Sequence, residues 1–255
     1  MATTGILITA RCGSTRLPRK HLKHSCGAPI LDVLIRRIHA AFPGEIARGE
    51  VAVVISTSEE PENQAFEELS GAQVFYGSPD NVPLRHLQTA EGLGLEYLVA
   101  IDGDDMYCSM RAVGAIIERL REGAPYVATR GLPFGMNTHG YSTAFLRTSL
   151  ERRRDQVLET GWGYIFDPAL VETLQFDDIA ADERLRFTLD YAEDFEFFDQ
   201  LTVALGDEVD RASDAAIVGR VMDNGLWQLN SGVAERYWQN FYALQDAERQ
   251  QAGGK

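Results

Sequence analysis

Chemistry-bearing side chains gather in three places along the chain. The stretch GILITARCGSTRLPRK puts Arg11, Arg16, Arg19 and Lys20 among Gly13, Ser14, Thr15 and Pro18, directly after a short apolar run. Backbone N–H groups around Gly13 and Ser14 could line a nest for anionic oxygens. Arg11, Arg16 and Lys20 would add charge-assisted hydrogen bonds to it. The stretch YLVAIDGDDMYC runs straight into Asp102, Asp104 and Asp105. Three carboxylates in four residues repel one another unless a cation or donors compensate. Oxygen ligands of this kind suit Mg²⁺, which keeps several waters and bridges to phosphates. The third place is RLRFTLDYAEDFEFF, where Asp190 ends a strand-like run and Glu193 and Asp194 open a helix. Acids at a helix N-terminus normally answer the helix dipole. Asp190 precedes the turn and is freer for another task.

The elements that must carry these groups follow from hydrophobic period. Strand-like runs span Gly5–Ala10, Val51–Thr57, Gln73–Tyr76, Tyr97–Ile101, Tyr126–Thr129 and Arg184–Leu189. Helix-like segments span Pro29–Ala41, Pro61–Ser70, Val82–Gly92, Ser109–Glu122, Thr148–Glu159, Asp194–Leu205 and Ser213–Asn224. Strand and helix alternate through the first half, which implies βαβ units and a mixed, mostly parallel sheet covered on both faces. The expected class is α/β, as one domain over residues 1–255. An excursion at about 133–166, where the alternation is lost, would serve acceptor binding or a dimer contact. Ligands in such sheets bind at the carboxyl ends of the strands. The first loop, the Thr57–Glu59 corner, the Gly77–Asn81 loop and Asp102–Asp105 would all meet there.

Composition narrows the options. The chain has 255 residues and a formal net charge of −14, against the basic face that general nucleic-acid binding needs. A local cation cluster or a metal must therefore hold any anionic ligand. No apolar run reaches the length of a membrane span, and MATTGILITA does not read as a signal peptide. Three cysteines in no paired spacing fit a reducing cytoplasm. Cys12 lies among cations, which would depress its pKa, but no base partner stands near it. His21, His24 and Cys26 lack a fourth ligand for zinc. Arg152, Arg153 and Arg154 read as a solvated helix face. Trp227, Tyr237, Trp238, Phe241 and Tyr242 read as core or a protomer contact, and the tail QQAGGK looks loose.

Neither G-x-G-x-x-G nor G-x-x-x-x-G-K-[ST] occurs, which argues against a dinucleotide Rossmann site and a P-loop. Instead, ITARCGSTRLPRKHL resembles the A-R-x-x-S-T-R-L-P-x-K opening of the CMP-sugar synthetase superfamily, especially its spore-coat-polysaccharide type. VFYGSPDNVPLRHLQTAE and LRFTLDYAEDFEFFDQL are similar to that branch's V-F-x-G-S-x-D-D-V-L-x-R-Y and R-x-T-L-D-x-x-E-D. LNSGVAERYWQNF shares its look.

The resemblance implies a Rossmann-like three-layer nucleotidyltransferase fold and a cytidylyltransferase reaction. CMP would pass from CTP to a small anionic acceptor (a sugar acid, sugar phosphate or phosphonate) with release of pyrophosphate. It implies Arg11, Lys20, Asp104 and Asp190 as catalytic residues. Ala10, Arg11, Gly13, Ser14, Arg16 and Lys20 would line the triphosphate site. Gly77, Ser78, Asn81 and Arg85 would lie near the base or ribose. Asp104 and Asp190 would hold Mg²⁺ or Mn²⁺, with Asp102 beside them. A cytoplasmic homodimer is expected, with no nucleic-acid or membrane partner. Three departures stand out: Arg19 replaces the usual Gly, Asp102 replaces Gln or Thr, and DDMYCS replaces D-x-P-L-I. Asp102-Gly103-Asp104 also matches the D-x-D metal motif of nucleotide-sugar glycosyltransferases, the rival enzyme class. A non-catalytic nucleotide-binding subunit is the other alternative. Arg130 and Arg147 are spare cations for an acceptor.

Overall fold

The computed structural model describes residues 3–179 and 182–253. Strand β1 (Thr4–Thr9) forms from the run TGILIT. Its aliphatic residues are buried on both faces, as a central parallel strand requires: Ile6 and Ile8 enter one core, Leu7 the other. After the first loop come a small hairpin, β2 (His24–Ser25) and β3 (Ala28–Pro29), and helices α1 (Leu31–Ala41) and α2 (Pro43–Ala47). Then follow β4 (Val51–Ser58), β5 (Gln73–Gly77), α3 (Val82–Leu93), β6 (Tyr97–Asp102), α4 (Met110–Arg121), β7 (Tyr126–Arg130), β8 (His139–Ser142) and α5 (Thr143–Ser149). The chain ends with β9 (Val171–Gln175), α6 (Ala192–Leu205), α7 (Asp214–Asp223) and α8 (Ala234–Gly253).

Among the described residues seven strands form one sheet in the order β5-β4-β1-β6-β8-β7-β9. All neighbours pair in parallel except at β8, which runs antiparallel to β6 and β7. Helices α1, α4, α6 and α7 bury their apolar residues on one face, and α3 and α5 cover the other. The expected mixed, mostly parallel α/β sheet is what the chain builds. In register, Thr9 of β1 stands beside Ser56 of β4 and Asp102 of β6. The first loop and the acidic corner therefore leave the sheet side by side.

Several elements differ from the sequence expectation. Arg184–Leu189 is not a strand. Its alternate residues Leu185, Phe187 and Leu189 are buried as the period implies. However, its backbone bonds go to loops: Phe187 N–H to the Phe134 carbonyl (2.8 Å) and Leu189 N–H to the Asp104 carbonyl (2.9 Å). Thr148–Glu159 is not a helix. Helix α5 stops at Ser149, and the residues beyond it make turns. Their backbone is claimed by the α3 entry, where Asn81 Nδ2 donates to the Arg153 and Gln156 carbonyls at 3.0 and 2.9 Å. Arg152–Arg154 thus sit on a turn, not on a helix face. Pro61–Glu68 is a 3₁₀ helix, and Pro29 ends β3, before α1 begins. Strands β8 and β9 and the 20-residue α8 have no counterpart in the sequence reading. Of the tail thought loose, Gln250–Gly253 is helical; Gly254 and Lys255 lie outside the described residues. Among the described residues no helix is long and apolar enough to cross a membrane.

Candidate active site

The first loop leaves β1 and folds back over its carboxyl end. Asn63 fixes it from below: its Oδ1 accepts the Cys12 N–H at 2.8 Å, and its Nδ2 donates to the Ser58 carbonyl at 3.0 Å. The loop closes on itself where the Arg19 N–H meets the Cys12 carbonyl at 3.2 Å. Arg19 then takes a left-handed conformation, φ 51°, which explains why glycine would be at ease there. A three-residue 3₁₀ turn, Lys20–Leu22, follows and turns Lys20 and His21 inward. Cys12 is buried rather than exposed among cations. Burial raises its thiol pKa, against the lowering effect of Arg19. That reverses the depressed pKa expected from sequence.

Lys20 joins two carboxylates that are 86 positions apart in the chain. Its ammonium pairs with Asp104 Oδ2 and lies 3.3 Å from Asp190 Oδ1. Arg16 pairs with the same oxygen of Asp190. Burial opposes the charge on Lys20, yet Asp104 and Asp190 hold its pKa above the ordinary lysine value. Burial likewise opposes the charge on Asp104, but Lys20 and His21 hold its pKa well below the usual carboxylate range. His21 Nε2 lies 2.7 Å from Asp104 Oδ1. Asp102, at the end of β6, is exposed at its outer edge. Crowding by protein around the carboxyl, and then the charge of Asp104, push its pKa up. Asp105 turns toward Thr188; burial and the charges of Asp102 and Asp104 push its pKa well up.

Asp190 is held from behind. Arg186 donates from Nη2 to Asp190 Oδ2 at 2.8 Å and from Nε to Asp194 Oδ1 at 3.0 Å. Asp194 is fully buried, and its Oδ2 accepts the backbone N–H groups of Asp190 and Tyr191, both at 3.0 Å. Asn230 Nδ2 completes the group by donating to Asp194 Oδ1 at 3.0 Å. Helix α8 lies across this end. Tyr237 stacks on the Arg186 guanidinium at 4.3 Å, and Arg236 covers the Tyr191 ring at 4.1 Å. Farther along α8, Glu248 accepts the N–H of Thr160 at 3.1 Å. This orders the segment whose Glu159 pairs with Arg11.

The cytidylyltransferase family model matches residues 5–159. The chain belongs to the cytidylyltransferase family. It is a nucleotidyltransferase, and the match covers the first loop and the Asp102–Asp105 corner. The chain is 26% identical over 222 residues to the spore coat polysaccharide biosynthesis protein SpsF of Bacillus subtilis (strain 168), covering 83% of this chain and 91% of that one. Its fold is similar to a cytidylyltransferase from Leptospira borgpetersenii, with a TM-score of 0.75 and 21% identity over 90% of this chain and 98% of the other. It is also similar to CMP-2-keto-3-deoxy-manno-octonic acid synthetase complexed with CTP: TM-score 0.57, 14% identity, covering 79% of this chain and 99% of that one.

The other expected residues of this cytidylyltransferase divide into two groups. Arg85 is 2% exposed, and its Nε and Nη1 have no partner. Burial lowers its pKa to about 10. Gly77 makes room for it: a Cβ at position 77 would lie 3.1 Å from Arg85 Cγ. The Ser78 N–H donates to Gln88 Oε1 at 2.7 Å. Asn81, by contrast, caps α3 through Leu84 N–H (2.9 Å) and spends both amide hydrogens on the 153–156 turn. It shapes the site from outside. Arg147 pairs with Glu91 on the surface and is no spare cation for a pocket.

Sequence reasoning finds no role in the site for Asn63, Glu159 or Arg186, and gives His21, Asp194 and Tyr237 other roles: a rejected zinc ligand, a dipole partner, and core or a protomer contact. A signal existed for two of them. Arg186 and Asp194 are the first and last residues of R-x-T-L-D-x-x-E-D.

The residues present fit a small divalent cation. Asp104 and Asp190 each direct one oxygen to a single ammonium. Their facing oxygens therefore lie well within the ~10 Å limit for sharing an ion at 2.0–2.1 Å, directly or through coordinated waters. Among the described residues no group of three His, Cys, Asp or Glu side chains could hold an ion alone. Mg²⁺ takes one or two carboxylates and completes its shell with water and substrate phosphates.

Proposed function

We propose that this enzyme transfers CMP from CTP to an oxygen of a small anionic acceptor, a sugar acid, sugar phosphate or phosphonate, in the presence of Mg²⁺ or Mn²⁺. The acceptor oxygen attacks the α-phosphorus, the bond to the β-phosphate oxygen breaks, and pyrophosphate leaves. One observation carries the reading: Arg11, Arg16 and Lys20 converge on Glu159, Asp190 and Asp104 at the carboxyl ends of β1 and β6. A cation cluster built into so acidic a chain suits a polyphosphate, with Gly13 and Ser14 at the loop's crest and Ala10 at its root. Asp104 and Asp190 would hold Mg²⁺, which supplies charge neutralisation on the phosphates when bound. The chain's own part is to orient the triphosphate and exclude water, which is most of what phosphoryl chemistry needs.

Arg85 supports a base or ribose contact, because two buried donors without a partner call for ligand acceptors. Arg16 and Arg236 both lie near the Tyr191 ring, at 5.5 and 4.1 Å, each already paired with an acid (Asp190 and Glu193), which suits an anionic acceptor that competes for them. The 133–166 segment, with Phe134 and Trp162, would wall that side. The half-exposed Trp238 and Tyr242 of α8 suit a homodimer contact. The deciding assay is pyrophosphate release from CTP and Mg²⁺ across a panel of acceptors. Activity is expected with an anionic sugar or phosphonate. Turnover only with a neutral non-sugar acceptor would overturn the acceptor class, and transfer from a nucleotide sugar without pyrophosphate would overturn the reaction.

A further inference from the structure

We propose that His21 is a positioning residue that holds the Asp104 carboxylate to a one-oxygen presentation. It thereby sets the preference of the site for a small octahedral cation over Ca²⁺. The proposal rests on Asp104 being a metal ligand, as argued above.

The two oxygens of Asp104 have separate partners. Oδ2 faces Lys20, on the side where Lys20 also meets Asp190. Oδ1 faces His21 Nε2 at 2.7 Å. The other ring nitrogen, Nδ1, lies 3.2 Å from the Arg11 carbonyl oxygen; both nitrogens thus face acceptors, and the Asp104 bond needs the proton on Nε2. The ring is 2% exposed, and Phe66 meets it edge-on with centroids 6.0 Å apart. Gly103 is shaped around it: a Cβ at position 103 would lie 3.2 Å from His21 Nε2 and 2.9 Å from the Thr9 carbonyl oxygen. A single short turn thus delivers both partners of Asp104, Lys20 to one oxygen and His21 to the other.

The His21 bond takes one lone pair of Oδ1 and fixes the plane of the carboxyl, so an ion can be chelated by both oxygens only from the direction of the lone pair that remains, while the enclosed ring keeps the carboxyl from turning to meet it. Mg²⁺ loses nothing by this, since it binds carboxylates through single oxygens in near-octahedral geometry. Ca²⁺ takes six to eight oxygens and often accepts a carboxylate bidentately. Removing the His21 nitrogens frees Oδ1 and opens that option.

The test uses Mn²⁺ as the probe. Its electron paramagnetic resonance spectrum is followed on the full chain saturated with α,β-methylene CTP, with Mg²⁺ or Ca²⁺ as competitor. His21→Phe keeps a ring against Phe66 and removes both nitrogens; His21→Leu repeats the loss should the larger ring fail to fold. In either variant the Ca²⁺ concentration needed to displace Mn²⁺, relative to Mg²⁺, should fall about fivefold, the scale of one lost hydrogen bond. His21→Gln, which retains an N–H donor, should lie closer to the native ratio. An unchanged ratio in the Phe and Leu variants overturns the positioning role. Absence of protein-bound Mn²⁺ in the native chain, with the spectrum of the nucleotide complex alone, overturns the metal site itself and this proposal with it.

Discussion

Arg186 donates to Asp190 at 2.8 Å from a side chain that is 5% exposed and lies against the neighbouring rings of Phe134 and Tyr237. Two carboxylates, Asp190 and Asp194, share this one buried guanidinium. Arg186→Met should destabilise the fold by about 3–5 kcal/mol, the usual cost of leaving buried charges without their partner. Urea denaturation at neutral pH measures it. A loss below about 1 kcal/mol would show that the group is not held together by Arg186.

Arg11, whose side chain is 48% exposed, should act on binding more than on folding, whereas Lys20 is buried against two carboxylates and its loss should cost stability as well. Arg11→Ala and Lys20→Ala should each weaken CTP binding on the order of tenfold to a hundredfold, since a charged hydrogen bond contributes about 1.5–3 kcal/mol. Calorimetric titration of CTP is the measurement, and unchanged affinity in both variants would refute the triphosphate site.

Arg19→Gly is the contrasting case. The position has φ 51° and an exposed side chain. Glycine should leave CTP affinity unaltered and raise stability by roughly 1 kcal/mol, because a left-handed backbone costs an L-residue about that much. A fall in melting temperature would contradict this.

Asp104→Asn and Asp190→Asn should each nearly abolish turnover while leaving the circular dichroism spectrum intact. Asp105→Asn should be mild, because the amide can keep the contact with Thr188. Equal losses in all three variants would argue against the division of roles among these acids.

The face behind β1 predicts a pH effect on stability. Burial lowers the pKa of His139 to about 4 and that of His86 well below its ordinary value. His86 lies 2.7 Å from Thr9 Oγ1, without exposure to water. A histidine with a lowered folded pKa stays neutral in the native state while the unfolded chain takes up a proton. Stability is therefore full above about pH 6.5 and falls as pH drops toward 4. For His139 the loss should approach about 3 kcal/mol. Urea midpoints should fall less steeply from pH 7 through 5.5 to 4.5 in His139→Gln; identical slopes in both proteins would remove His139 as the cause.

Local pattern was enough for much of this molecule. The aliphatic runs of β1, β4 and β6 are buried on both faces whichever strands flank them, so their period alone reveals a covered parallel sheet. The loop cations and Asp104 follow immediately from strand ends, and strand ends in such sheets gather at one edge. Distant partners were not legible in the same way. Nothing in Lys20 says that it will meet Asp190, because that contact depends on where the Arg186–Asp190 segment docks. The segment has a strand's alternation, but its N–H groups find the Phe134 and Asp104 carbonyls instead of a neighbouring strand. The turn at 150–158 reads as helix until Asn81 takes its carbonyls. His21 reads as one more polar residue until a side-chain-free position at Gly103 admits its ring to Asp104. Periodicity reports which side of a residue is buried. Which partner waits there is a long-range matter of packing, and the tertiary structure decides it.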